Sequence, residues 1–265
     1  MSLIICPTDF SDTALNANIY AALLARDINS KMLLVHVMHV PAIDVNSAAN
    51  VLDTLMETQR IATKTKLEEE CEKIKEITGV DVTYKSDFGL AVDIIIDVAE
   101  TNNATMIVMG TNGASNVFDQ LLGTVSYGVV KRSHVPVLVV PKGSKFNGIK
   151  HIAFANDHKE KLTSQMEFIY NLTHHKASKI DIISVEAGKE SNYYEEECVC
   201  DEGGVKEVCI WADDVENGII KYIEEHNVEV VAVKRHHRSF FENLFHHSTT
   251  KEVLNKSAIP VLIFN

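Results

Sequence analysis

The run from Gly110 to Thr124, GTNGASNVFDQLLGT, holds the residue types and spacing best suited to chemistry. Two residues separate Gly110 from Gly113, nine separate Gly113 from Gly123, and the hydroxyl residue Thr124 follows at once. Glycine allows close backbone approach to a ligand and φ > 0 without a Cβ clash. Upstream, Met106 to Met109 is an apolar run that reads as a strand, and downstream Val125 to Arg132 continues as a helix. A strand thus enters a glycine-punctuated loop that ends at a helix N-terminus. Unpaired N–H groups there favour an anion such as phosphate. The plain alternative is a connecting loop with turn glycines. The complete spacing, the hydroxyl and the strand–loop–helix context favour phosphate. The run lacks the Gly-Lys-Ser/Thr ending of a Walker loop, and the chain has neither a Gly-x-Ser-x-Gly elbow nor a His-Glu-x-x-His helix. Without such a lysine, an arginine finger or a placed base, fast phosphoryl transfer is unsupported. No catalytic residue is assigned.

The elements that must position this loop alternate. The first half reads as strands at Leu3–Cys6, Met32–Met38, Val80–Tyr84, Met106–Met109 and Val135–Val140, with helices at Asp12–Ile28, Val51–Ile77 and Ala91–Glu100. The second half repeats the order: strands at Ile149–Ala155, Lys179–Val185, Val205–Ile210, Val228–Val233 and Ile259–Phe264, with a helix at Glu160–His174. The endings SHVPVLVV and SAIPVLIF align almost residue for residue, which points to an internal duplication. Alternating strands and helices imply a parallel sheet covered on both faces. A polar linker, Pro141 to Gly148, divides the chain into domains 1–143 and 149–265. In the second copy Glu186 to Gly204 replaces the long helix and is expected to form a loop or a short helix. The last strand of each unit reads as an exposed apolar edge. The two edges are expected to meet, within one chain or between chains, with a homodimer as the assembly.

These residues resemble the universal stress protein family in its tandem, two-domain form. Gly110, Gly113, Gly123 and Thr124 fit the glycine pattern of the family's nucleotide-binding members without a gap. Asp9, in CPTDFSDTA, holds the family's acidic position after the first strand, and the VPVLVVP ending is typical. The resemblance implies an α/β fold of two tandem, Rossmann-like, open five-stranded parallel sheets. It implies ATP, with Mg²⁺ on its phosphates, at the carboxyl ends of the strands. Asp9 would lie by the adenosine, the backbone at Val37 and Met38 would meet the adenine, and Gly110, Gly113, Gly123 and Thr124 would cradle the phosphates. Ser126 reads as a further hydroxyl or as a plain helix residue. Asp9 reads equally as a turn or cap residue, and the two roles are compatible.

The second half departs from the pattern. Lys234, His237, His247 and Ser248 stand opposite Gly110, Gly113, Gly123 and Thr124, so this copy is not expected to bind ATP in the family manner. Its KRHHRSFFENLFHHSTT run reads as a polar, partly basic surface loop. Adjacent histidines beside Lys234, Arg235 and Arg238 make a poor cation site, and no metal is assigned. Cys198-Val199-Cys200 has neither redox nor zinc spacing, although a regulated disulfide stays open. A net charge of -12 argues against nucleic acid or an anionic membrane as partner. No apolar run is long enough to span a bilayer, and MSLIICPTDFSD does not read as an export signal. With five scattered cysteines this points to the cytoplasm and to reduced thiols. The expected protein is a cytoplasmic ATP-binding stress-response protein in which the nucleotide is a structural or regulatory ligand. The alternatives are a slow ATPase, a nucleotidyl-transfer enzyme, or an interaction module without ligand.

Overall fold

The computed structural model describes residues 2–41, 49–111, 123–156, 163–173, 178–188, 193–200, 205–234 and 259–265. In the first half, β1 (Leu3–Pro7), β2 (Lys31–Met38), β3 (Thr83–Phe88), β4 (Met106–Gly110) and β5 (Val137–Val140) alternate with α1 (Asp12–Asp27), α2 (Ala49–Thr78), α3 (Ala91–Thr101) and α4 (Thr124–Arg132). The second half contributes β6 (His151–Ala155), α5 (Thr163–Leu172), β7 (Lys179–Ala187), β8 (Tyr194–Cys200), β9 (Val205–Ala212), α6 (Val215–His226), β10 (Val230–Lys234) and β11 (Val261–Phe264). The α/β class and the tandem repeat read from the sequence are those observed.

The strands form one sheet of eleven, in the order β3-β2-β1-β4-β5-β11-β10-β6-β7-β9-β8. Within each half the pairings are parallel, apart from β8 against β9. The halves join where β11 runs antiparallel to β5, with Leu262 opposite Leu138. The two terminal edges therefore meet within the chain. Each covers the backbone groups that the other would leave exposed. Side chains alternate across the strands, so neighbours enter opposite cores. Ile5, Ile107 and Val139 pack with α3 and α4, whereas Ile4, Val108 and Leu138 face the side of α1 and α2.

Three expectations change. The third strand lies at Thr83–Phe88, not Val80–Tyr84, because α2 runs on to Thr78 and Gly79, at φ 73, ends it. The segment expected to be a loop or short helix contains β8, a strand that completes a hairpin with β9. Cys209 on β9 is disulfide-bonded and not a free thiol. Cys6 and Cys71 are free. Among the described residues no helix is long and apolar enough to cross a membrane.

The second half is held internally by a buried polar cluster. Asp181, fully buried on β7, accepts hydrogen bonds from the Tyr222 hydroxyl at 2.7 Å and from His151 Nε2 at 2.5 Å. Lys179 Nζ stands 3.5 Å away. Burial alone would raise the Asp181 carboxyl. The bonds from His151 and Tyr222 and the charges of His151 and Lys179 outweigh burial and hold it below its ordinary value. A depressed carboxyl stabilises the fold above its unfolded-state pKa, and that contribution fades as pH falls through the folded-state value. Asp181→Ala should therefore cost about 3 kcal/mol in urea unfolding at pH 7. The gap to the wild-type protein should narrow below pH 4. An equal gap at every pH would remove the ionised carboxylate from this role.

Candidate functional site

A cavity of about 460 Å³ opens at the carboxyl ends of β1, β2 and β4. That lies within the usual range for small-molecule sites. Of the residues singled out in the sequence, Asp9, Val37, Met38, Gly110, Gly123, Thr124 and Ser126 all line it. Gly113 falls outside the described residues, as do Arg235, Arg238, the histidine pairs and Ser248.

One side of the cleft is the β4–α4 junction. Gly123 is the N-cap of α4, and no side chain caps the helix. The first bond to the cap carbonyl comes from Tyr127 N–H, so the N–H groups of Thr124, Val125 and Ser126 lie ahead of the helical ladder. All three residues line the cavity. Gly110 has a packing duty besides the one its motif suggests. A Cβ there would lie 2.9 Å from the Thr13 carbonyl oxygen and 3.1 Å from Thr13 Cγ2. Its glycine is what lets the first turn of α1 pack against the end of β4. Ser126 also acts structurally: its hydroxyl donates to the Gly110 carbonyl at 3.0 Å, tying α4 to β4.

The opposite wall is the end of β2 and the turn after β1. The Met38 carbonyl accepts from Gly89 N–H at 3.0 Å, so part of the backbone expected to meet a base already braces the β3–α3 turn. Asp9 is exposed, and its Oδ1 accepts from Ser11 N–H at 3.0 Å, forming a tight Asx turn. The cap of α1 is Ser11, which accepts from Ala14 N–H at 3.1 Å. Asp9 is therefore a turn residue in the cavity wall and not a helix cap. Phe10, next to it, takes φ 65.

Sequence reasoning missed what lies under this turn. Glu70, on α2, is 8% exposed. The Thr8 hydroxyl lies 3.0 Å from both of its oxygens, and Asn18 Nδ2 donates to Oε1 at 2.9 Å. Thr8 Oγ1 accepts from Phe10 N–H at 3.0 Å. The Thr8 carbonyl takes a hydrogen bond from His36 Nδ1 at 2.8 Å, which assigns the proton to that nitrogen because a carbonyl can only accept. The His36 ring lies 4.4 Å from that of Phe10. Burial lowers the His36 pKa against the opposing pull of the Thr8 bond and the Asp9 charge. Burial raises Glu70, although Asn18 and Thr8 resist. The only signal in the sequence was a Glu on a buried helical row, hidden in the acidic run LEEECEKIKE.

The cleft offers an anion main-chain N–H groups and hydroxyls. Its described lining contains no Lys or Arg, and Asp9 is its one carboxylate. In the second half Lys234 ends β10 as Gly110 ends β4. Elsewhere, Glu195, Glu225 and His226 lie close enough to share a cation. His226 Nε2 instead pairs with Glu195 at 2.8 Å, and Lys221 stands 3.9 Å from Glu225.

Gly110→Ala should destabilise the protein by about 1–3 kcal/mol, because the clash is with backbone, and Ser126→Ala by about 1 kcal/mol. Thermal unfolding checks both. An unchanged melting temperature in Gly110→Ala would contradict the close approach of α1.

The profile of the universal stress protein family matches residues 1–141 and 153–265. Universal stress protein Slr1230 of Synechocystis is 25% identical over 99% of each chain. Universal stress protein MJ0531 of Methanocaldococcus jannaschii is 32% identical over 54% of this chain and 83% of its own. The crystal structure of a universal stress protein from Archaeoglobus fulgidus has the same fold, with a TM-score of 0.67 at 21% identity, covering 99% of this chain and 96% of that one. With both halves matched by one profile and the whole length shared with a relative, the chain belongs to the universal stress protein family as a tandem, two-domain member.

Proposed function

We propose that this protein binds ATP in the cleft of domain 1–143 and uses it as a structural or regulatory ligand. The observation that carries this is the meeting of an uncapped helix N-terminus, at Gly123 and Thr124, with the Asp9 turn across one cavity. The helix start is a site for phosphates. The wall of Asp9, Val37 and Met38 is the place for the nucleoside. Gly110 holds the floor in position, Gly113 belongs to the phosphate loop, and Ser126 keeps the junction rigid. Mg²⁺ would be held chiefly by the phosphates, since it binds through few protein carboxylates and keeps its water.

A ligand that binds only the folded state stabilises it by mass action, and one that prefers one conformation shifts the population toward it. Both suit a cleft with phosphate-binding backbone and no assigned catalytic group. Slow hydrolysis is the second reading, and steady-state turnover separates it. Domain 149–265 carries Lys234 where the first copy has Gly110, so it takes no nucleotide in this manner. A cytoplasmic homodimer without nucleic-acid or membrane partners completes the reading.

Isothermal calorimetry should give one ATP per chain. Gly113→Val, which fills the space the phosphates need, should weaken binding at least about tenfold, or 1.4 kcal/mol. Two equivalent sites, or unaltered affinity in that variant, would refute the assignment.

A further inference from the structure

We propose that ionised Glu70 is a positioning residue for the cleft: it fixes the direction of the Thr8 hydroxyl and so holds the Asp9–Phe10 turn. This rests on the nucleotide reading of the cleft and adds a control element to it.

Hydrogen-bond polarity fixes the Thr8 hydroxyl. An ionised carboxylate can only accept, so the Thr8 hydroxyl proton must point at Glu70. The Thr8 oxygen then presents a lone pair to Phe10 N–H, and the observed chain runs Phe10 N–H to Thr8 Oγ1, and Thr8 O–H to Glu70. That chain restrains a non-glycine residue at φ 65, a conformation side chains seldom adopt unaided. It thereby sets the Asp9 turn in the cavity wall. A protonated Glu70 would carry a donor of its own. It could donate to Thr8 Oγ1, so that the Thr8 hydroxyl proton is no longer pinned to Glu70 and the lone pair facing Phe10 N–H is no longer fixed in direction, and the restraint on the turn would weaken.

The surroundings suit both ionisation states. Asn18 is fully buried, and its Oδ1 has no partner. An amide donates to a carboxylate through nitrogen and, turned over, accepts from a carboxylic acid through oxygen. Glu70 is thus held by a residue that can serve either form. The groups facing it are few. Cys6 on β1 and Cys71 on α2 are both raised by burial and then by the Glu70 charge. Asp9 raises Glu70 from the turn, and Lys73 lowers it from α2. His36 on β2 reaches it only through Thr8. Burial is the largest influence on Glu70 and raises it above its ordinary value of 4.5. The sign follows: the turn is held when Glu70 is ionised and is released as pH falls through that raised value.

Two readouts on the full-length protein test this. Adenosine binding avoids the titrating phosphates of ATP, and the Phe10 amide resonance of the ligand-free protein reports the turn directly. Wild-type affinity for adenosine should fall on acidification from pH 8 through the Glu70 titration, with the Phe10 amide moving at the same midpoint. Glu70→Gln, which keeps the shape and removes the charge, should flatten both curves and bind about tenfold more weakly at pH 8. Thr8→Val should reproduce that loss, while Thr8→Ser, which keeps the hydroxyl, should retain wild-type behaviour. His36→Asn should leave the midpoint in place. A Phe10 titration that persists in Glu70→Gln, or wild-type affinity in that variant, overturns the proposal. If the wild-type protein binds neither adenosine nor ATP, the nucleotide reading fails. The Phe10 titration then still decides whether Glu70 sets the turn.

Discussion

A parallel sheet obliges every strand to return through a crossover, so the carboxyl ends of its strands and the N-termini of its helices fall along one edge. The rest of this structure depends on that constraint. It brings the ends of β1, β2 and β4 together with the starts of α1, α3 and α4, and the cavity lies there. No lysine or arginine is needed among the described lining residues to make that edge attractive to an anion, because the aligned peptide groups of α4 supply the partial positive charge. Gly110 extends the same logic to packing. It lets α1 close on β4, and the Asp9 turn that leads into α1 is thereby brought to the cleft wall.

The duplication settles a second physical problem. A lone copy would end in VLVV, a fully buried strand with nothing on its far side. The second copy supplies VLIF in antiparallel register, and the apolar edges become the middle of an eleven-stranded sheet. The outer strands then become β3 and β8. β3 alternates exposed and half-buried residues, and β8 is rich in glutamate, as edges that avoid further pairing should be. The second copy keeps the scaffold with Lys234 at the end of β10, and its interior is pinned by Asp181, His151 and Tyr222.

Much of this was legible in the chain. The central strands are continuous runs of Val, Ile and Leu, which a sheet buried on both faces requires, and the glycine spacing marked the β4–α4 junction. What escaped did so for local reasons. β8 reads YEEECVC, whose run of three glutamates breaks any apolar–polar alternation that would mark a strand. Helix α6 went unassigned although Asp214 caps it and Ile219, Ile220 and Ile223 mark its buried face. Glu70 and Asn18 could not be recognised as buried partners, because their contact spans 52 residues and leaves no trace in local pattern. The packing duties of Gly110 and Ser126 were equally invisible, since the contacts with Thr13 and between α4 and β4 leave no mark in local sequence.

The central claim is that one cleft, in the first half, receives a nucleotide between the α4 N-terminus and the Asp9 turn. Amide chemical-shift mapping during an ATP titration tests it most directly. The account predicts large, saturable shifts at Asp9, Gly110, Thr124 and Val125, with Lys234 and the neighbouring strands of the second half unmoved. Shifts centred on β10, or none at the α4 N-terminus at saturating ATP, would contradict it.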